Sequence, residues 1–154
     1  MTATSLDELL VVALKDLREG RVAVMERLPE LASATRDAKV RTIFGNLVTR
    51  SAEEAVSLAG MLKEPRGERN LWATGILDDA CRDVASTAAG PVRDVALIGA
   101  IRKFLAADAV SMETAIALSQ NGGEERVPAL EAMRRAGLAA STALGGQLPR
   151  LTAQ

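Results

Sequence analysis

The stretch Ile101–Ala115, IRKFLAADAVSMETA, decides the fold. Together with the residues just before it, it sets Leu97, Ile98, Ile101, Phe104, Leu105 and Met112 at helical steps, the signature of one buried helix face. One turn past Phe104 and Leu105, on the same stripe, stands Asp108. Burying a carboxylate is costly unless something neutralises it. Four readings of Asp108 follow: a metal ligand, a catalytic group, half of a buried ion pair, or the edge of a wet face.

The pattern repeats on either side. Ser5-x-x-Glu8 forms a capping box ahead of an apolar run, and the stripe Leu6, Leu9, Leu10, Ala13, Leu17, Gly20, Val24, Leu28, Leu31 marks a first long helix. Pro29 is expected to kink it or to start a fresh turn. Gly20 costs about 1 kcal/mol against Ala in mid-helix, so it is read as a point of close approach. A second helix is expected from near Asp37 to near Lys63, with Val40, Ile43, Phe44, Leu47, Ser51, Ala55, Leu58 and Leu62 inward. Glu64–Asn70, EPRGERN, reads as a polar loop. A shorter helix follows from Leu71, broken at Ala89-Gly90-Pro91. The helix containing Asp108 runs from about Val92 to Ser119 and stops at Asn121-Gly122-Gly123. The last begins near Glu125, and Gly145, Gly146 and Pro149 are expected to fray its end. No alternation persists long enough for a strand. The expectation is all-α: one domain over residues 1–154, an antiparallel four-helix bundle with a short extra helix in the crossing segment.

Composition narrows the chemistry. The 154 residues carry 19 basic and 20 acidic side chains, intermixed, for a net charge of −1. No basic stripe alternates with aromatics, so a nucleic-acid partner is not expected. No apolar run approaches the roughly 20 residues needed to span a bilayer, and the start, MTATSLDELL, lacks a signal-like pattern. A soluble, cytoplasmic protein is expected, and Cys81, the only cysteine, agrees with that compartment. There is no His and no Tyr. Ser–His and Cys–His pairs, and His-ligated zinc, iron or haem, are therefore impossible within the chain. Without the usual acid–base residue, the chain is read as no enzyme.

The polar interruptions of the stripes are the candidate site. Arg21 lies one turn after Leu17, Arg50 and Ser51 one turn after Leu47, Asp78 and Asp79 after the short helix's apolar triplet, and Asp108 on the long helix. Each can be a boundary residue with its tip in water, as arginine often is. The sharper reading is mutual pairing of Arg21 and Arg50 with Asp79 and Asp108 at mid-bundle height. Glu53-Glu54 reads as solvated surface, Met25, Met61, Met112 and Met133 as core filler, and Trp72 as a plug at the bundle's base. Cys81 beside Arg82 reads as packing, with an activated thiolate as the alternative.

These segments carry a resemblance. Lys15–Ala32, KDLREGRVAVMERLPELA, is similar to an Asp-Leu-Tyr-x-Ala-Glu segment followed by Leu-Pro in the ferritin-like bacterial stress proteins of the YciE/YciF type. Asp16, Leu17, Leu28 and Pro29 match, while Arg18 replaces the Tyr and Arg21 the Glu. Phe44–Leu58, FGNLVTRSAEEAVSL, resembles that family's Phe-x-x-His-x-x-Glu-Thr, with Leu47 at the His, Arg50 at the Glu and Ser51 at the Thr. Thr74–Ala80 resembles a Gly-Leu-x-x-Glu turn with Asp79 at the Glu. Arg93–Ser111 resembles the segment holding Glu-His-x-Glu, with Leu105 and Ala106 at Glu-His and Asp108 at the last Glu. MRRAGL, Met133–Leu138, has none of the acids expected of the last helix. The resemblance implies a ferritin-like bundle whose di-metal site is a relic. It also implies a homodimer and a stress-associated setting.

The leading expectation is a metal-free structural or interaction module with no cofactor. A working carboxylate di-metal (iron/manganese) protein would have to rely on Asp79, Asp108 and Glu54. A small-molecule binder would use the bundle interior near Trp72 and Cys81. Val11, Val12, Leu14, Val22 and Met25 lie off the main stripe of the first helix and suggest a second apolar face for self-association.

Overall fold

The computed structural model describes residues 2–153. Among them, helices α1 (Leu6–Ala34), α2 (Ala38–Gly60), α3 (Leu71–Ser86), α4 (Pro91–Ser119), α5 (Val127–Gly145) and α6 (Leu148–Thr152) account for the architecture, with a 3-10 turn at Glu124–Arg126 and no strand. Short connections fold α1 on α2 and α4 on α5 as two helical hairpins. The longer segment carrying α3 crosses between them and packs on α1 and α4. The result is a four-helix bundle with a short crossing helix. Among the described residues no helix is long and apolar enough to cross a membrane.

The ends are set by local chemistry. Ser5 Oγ accepts the Glu8 N–H, while the Glu8 carboxylate takes both the N–H and the hydroxyl of Thr4. Asp37 and Asn70 cap α2 and α3 by accepting the N–H groups of Val40 and Ala73. Gly90, at φ +114°, sits where a side chain would be strained, directly before Pro91 at the start of α4. Pro29 starts no separate helix, and α1 runs through it to Ala34. Helix α2 stops at Gly60, three residues before Lys63, because Met61 and Leu62 turn back to bond the carbonyls of Leu58 and Ala59.

The C-terminal end does not fray. Gly145 and Gly146 turn the chain into α6, whose Leu151 is buried and whose Arg150 forks onto Asp37 at 2.6 and 2.9 Å. The Asp37 carboxyl is held down at about 2, chiefly by the Arg150 hydrogen bonds, against the opposing effect of burial and with help from the Val40 N–H. A depressed carboxyl pKa contributes stability that is present above the unfolded value and lost as pH falls through the folded one. This clasp therefore weakens between the ordinary 3.8 and about 2. Arg150→Ala is expected to return the Asp37 pKa toward its ordinary value, read from the carboxyl carbon by NMR titration. A carboxyl still titrating at about 2 in that variant would show that Arg150 is not the cause.

The core is divided along the bundle. One apolar cluster holds Leu28, Leu31, Val40, Phe44, Leu77, Leu97, Ile98, Ile101 and Phe104. The other holds Leu10, Leu14, Leu17, Leu58, Met112, Ala115 and Leu130. On α1, α2 and α4 alike, the positions between the two clusters are polar: Arg21, then Ser51 and Glu54, then Asp108, all buried. A charged layer thus separates two apolar ones.

Candidate functional site

Three helices build this layer because each turns polar residues inward at the same height: Arg21 on α1, Ser51 and Glu54 on α2, and Asp108 on α4. Arg21 is 4% exposed, Asp108 5% and Glu54 9%. The Arg21 guanidinium forks onto Asp108, with Nη2 donating to Oδ2 at 2.9 Å and Nη1 in close contact with Oδ1. Its Nε donates to Glu54 Oε2 at 3.0 Å, and Nη1 also reaches the Leu17 carbonyl at 3.3 Å. Arg50, partly exposed on α2, donates its Nε to Glu54 Oε1 at 3.1 Å. Two guanidinium groups and two carboxylates therefore balance one another. Burial alone would push Arg21 down, but the charges and hydrogen bonds of Asp108 and Glu54 outweigh it and hold the guanidinium above its ordinary value.

The arrangement differs from the expected foursome in one member. Arg21 meets Asp108 directly, and Arg50 joins them only through Glu54. Asp79 lies elsewhere, on the outer side of α3, paired with Arg82 one turn along the same helix. The inward face of α3 is Ala73, Thr74, Leu77 and Ala80, and Asp79 falls off it. Glu54 takes the place expected of Asp79. It is not solvated surface, in contrast to its neighbour Glu53, which is exposed. The signal was present: Glu54 lies three residues after Ser51 and four before Leu58, both inward positions of α2.

The positions where the resemblance expects metal ligands hold no ligand set. Leu47 and Leu105 are buried core residues. Among the described residues, no three of His, Cys, Asp or Glu converge to hold an ion. The Arg21 guanidinium stands between Glu54 and Asp108, where a cation would have to stand. These residues do not fit a di-metal centre.

A third buried carboxylate, Asp94, lies on the same stripe as Asp108, three residues before Leu97 and four before Ile98, and sequence reasoning passed over it. It sits in the first turn of α4 and accepts the backbone N–H groups of Arg36 at 3.1 Å and Asp37 at 2.9 Å. It thereby ties the α1–α2 turn to the start of α4.

The remaining candidates separate. Trp72 is half-buried, tilted against Phe104 at 5.4 Å between centroids, and donates its indole N–H to Asp16 at 3.2 Å. Burial pushes the Asp16 carboxyl up, the indole N–H opposes this, and the nearby charges of Asp108 and Glu19 add to the rise. Trp72 lines an open surface groove of about 600 Å³ rather than an interior cavity, and Cys81 is not part of it. Cys81 accepts from Arg27 Nη2 at 2.9 Å, while Arg82 is occupied by Asp79. Met112 and Met133 are core residues, but Met25 is exposed.

No family model and no curated protein matches the chain. Solved structures do. The E. coli stress protein YciF superposes with a TM-score of 0.92 at 18% identity, over 97% of this chain and 98% of that one. YcfI from Rhodopseudomonas palustris, to which a structural role has been ascribed, superposes with a TM-score of 0.88 at 18% identity, over 92% and 94%. The chain has the all-α, ferritin-like bundle fold of these proteins.

Proposed function

We propose that a bundle with the fold of a bacterial stress protein works here without catalysis and without bound metal, as a structural or protein-interaction module of the cytoplasm in a stress-associated setting. One observation carries this reading: the Arg21 guanidinium lies between Glu54 and Asp108, so the bundle's own cation neutralises the carboxylates that a metal would need. The absence of His and Tyr from the chain supports it, because neither a His-ligated metal nor a His general base can form. The test is elemental analysis of protein purified without chelator, followed by titration with iron(II), manganese(II) and zinc(II). Less than stoichiometric metal and no tight binding are expected. About one ion per chain, held at micromolar affinity or better, would overturn the reading.

An interaction module needs a face to present. On α1, Val11, Val12 and Met25 are exposed and Val22 is half-buried, whereas Leu14 points into the core and drops out of the set. This narrower second face supports self-association as a homodimer. Sedimentation at tens of micromolar should report a dimer, and Val11→Glu with Met25→Glu should shift it to monomer. A natural chain sedimenting as a clean monomer would end the proposal.

A further inference from the structure

The groove beside Trp72 lies outside the charged layer and shares only Val12 with the self-association face proposed above. Its walls are α1, through Val12, Lys15 and Asp16, and the crossing segment from Arg66 to Trp72. Its volume of about 600 Å³ lies in the usual range for small-ligand sites, roughly 300–1,000 Å³.

The groove is built rather than accidental. Gly67 rests directly on α1, since a Cβ there would come within 2.9 Å of the Lys15 Cβ, and its N–H donates to Glu19 at 3.3 Å. Asn70 fixes the far end by donating to the Asp16 carbonyl at 3.0 Å and capping α3. Gly20 makes room for it, because a Cβ there would stand 3.2 Å from the Asn70 amide nitrogen. The indole of Trp72 is held by Asp16 and backed by Phe104. Loop, helix start and indole are therefore in place before any ligand arrives, which reduces the ordering cost of binding.

The lining combines two chemistries. Val12, Leu71 and Trp72 give it an apolar side, and Leu71 is left 76% exposed at its edge. Lys15, Arg66 and Arg69 give it three cations against the two carboxylates Asp16 and Glu68. Among the described residues none of these three cations makes an ion pair, although Arg27, Arg82, Arg134 and Arg150 on other faces each hold a carboxylate. Asp16 is already engaged by the indole N–H. An apolar bed with unpaired cations around it complements a molecule that is aromatic on one side and anionic on the other.

We infer that this groove between α1 and the crossing segment binds a small aromatic anion, its ring against Trp72 and its charged group among Lys15, Arg66 and Arg69. Anilinonaphthalene sulfonate serves as the probe, and phenylnaphthylamine, which lacks the sulfonate, as its neutral counterpart. Trp72 is the only tryptophan of the chain, so energy transfer from it to the dye reports occupancy of this groove. One sulfonate dye per chain is expected, with affinity falling as salt is added. The neutral dye should bind at least several-fold more weakly. Lys15→Gln with Arg66→Gln and Arg69→Gln should weaken the sulfonate dye by about tenfold, each exposed charge pair contributing about twofold, with an unchanged circular dichroism spectrum and melting curve. Equal affinity for the two dyes, or full affinity in the charge-depleted variant, would overturn the inference.

Discussion

Arg21→Met should destabilise the bundle by about 3–5 kcal/mol, the typical cost of removing one partner from a buried ion pair. The variant leaves Asp108 with no cation and Glu54 with only the partly exposed Arg50. The apolar methionine stem fits between the two core clusters, so the loss is electrostatic more than steric. Asp108→Ala should cost less than Arg21→Met, because Arg21 would still hold Glu54 and the Leu17 carbonyl. Combining Arg21→Met with Asp108→Leu should cost much less than the sum of the two single changes, since neither charge is then left buried alone. Urea unfolding followed by circular dichroism measures all three. If Arg21→Met moves stability by only a few tenths of a kcal/mol, as an ordinary surface change does, the layer is not the neutralised charge cluster that its geometry describes.

The second large effect is expected at Asp94. Asp94→Ala should cost about 2–4 kcal/mol, because two part-buried backbone donors lose their acceptor, each at about 1–2 kcal/mol, the lower part of the range for an unmade buried bond. It also removes a negative charge from the first turn of α4, where the helix dipole favours one. Asp94→Asn keeps an acceptor oxygen but loses the second one, and should fall in between. Hydrogen exchange supplies the specific readout. The amides of Arg36 and Asp37, which donate to Asp94, should lose protection before the helix interiors do. Unchanged exchange at those two amides would show that the turn is held by something else.

Helical periodicity is local, so it decides by itself which residues of one helix share a face. That is why the sequence determined α1 through α5, the inward position of Asp108, the inward stripe of α2 and the crossing place of α3. It also determined what chemistry is missing, because the absence of His and Tyr is a matter of composition. Periodicity carries no information about the height at which two helices meet or their rotation about each other. Arg21 could therefore be set among the pairing residues without showing that Glu54, rather than Asp79, would be its second partner. A tail with Gly145, Gly146 and Pro149 reads as a frayed end until Asp37, 113 residues away in sequence, is seen to hold Arg150. Asp94 falls on the inward stripe of α4 by its spacing from Leu97 and Ile98, but its partners appear only when the α1–α2 turn brings two N–H groups to it. The groove exists only because Gly67 lets the crossing segment rest on Lys15. Each of these features is a contact between segments far apart in the chain, and only the packing of the helices against one another decides such contacts.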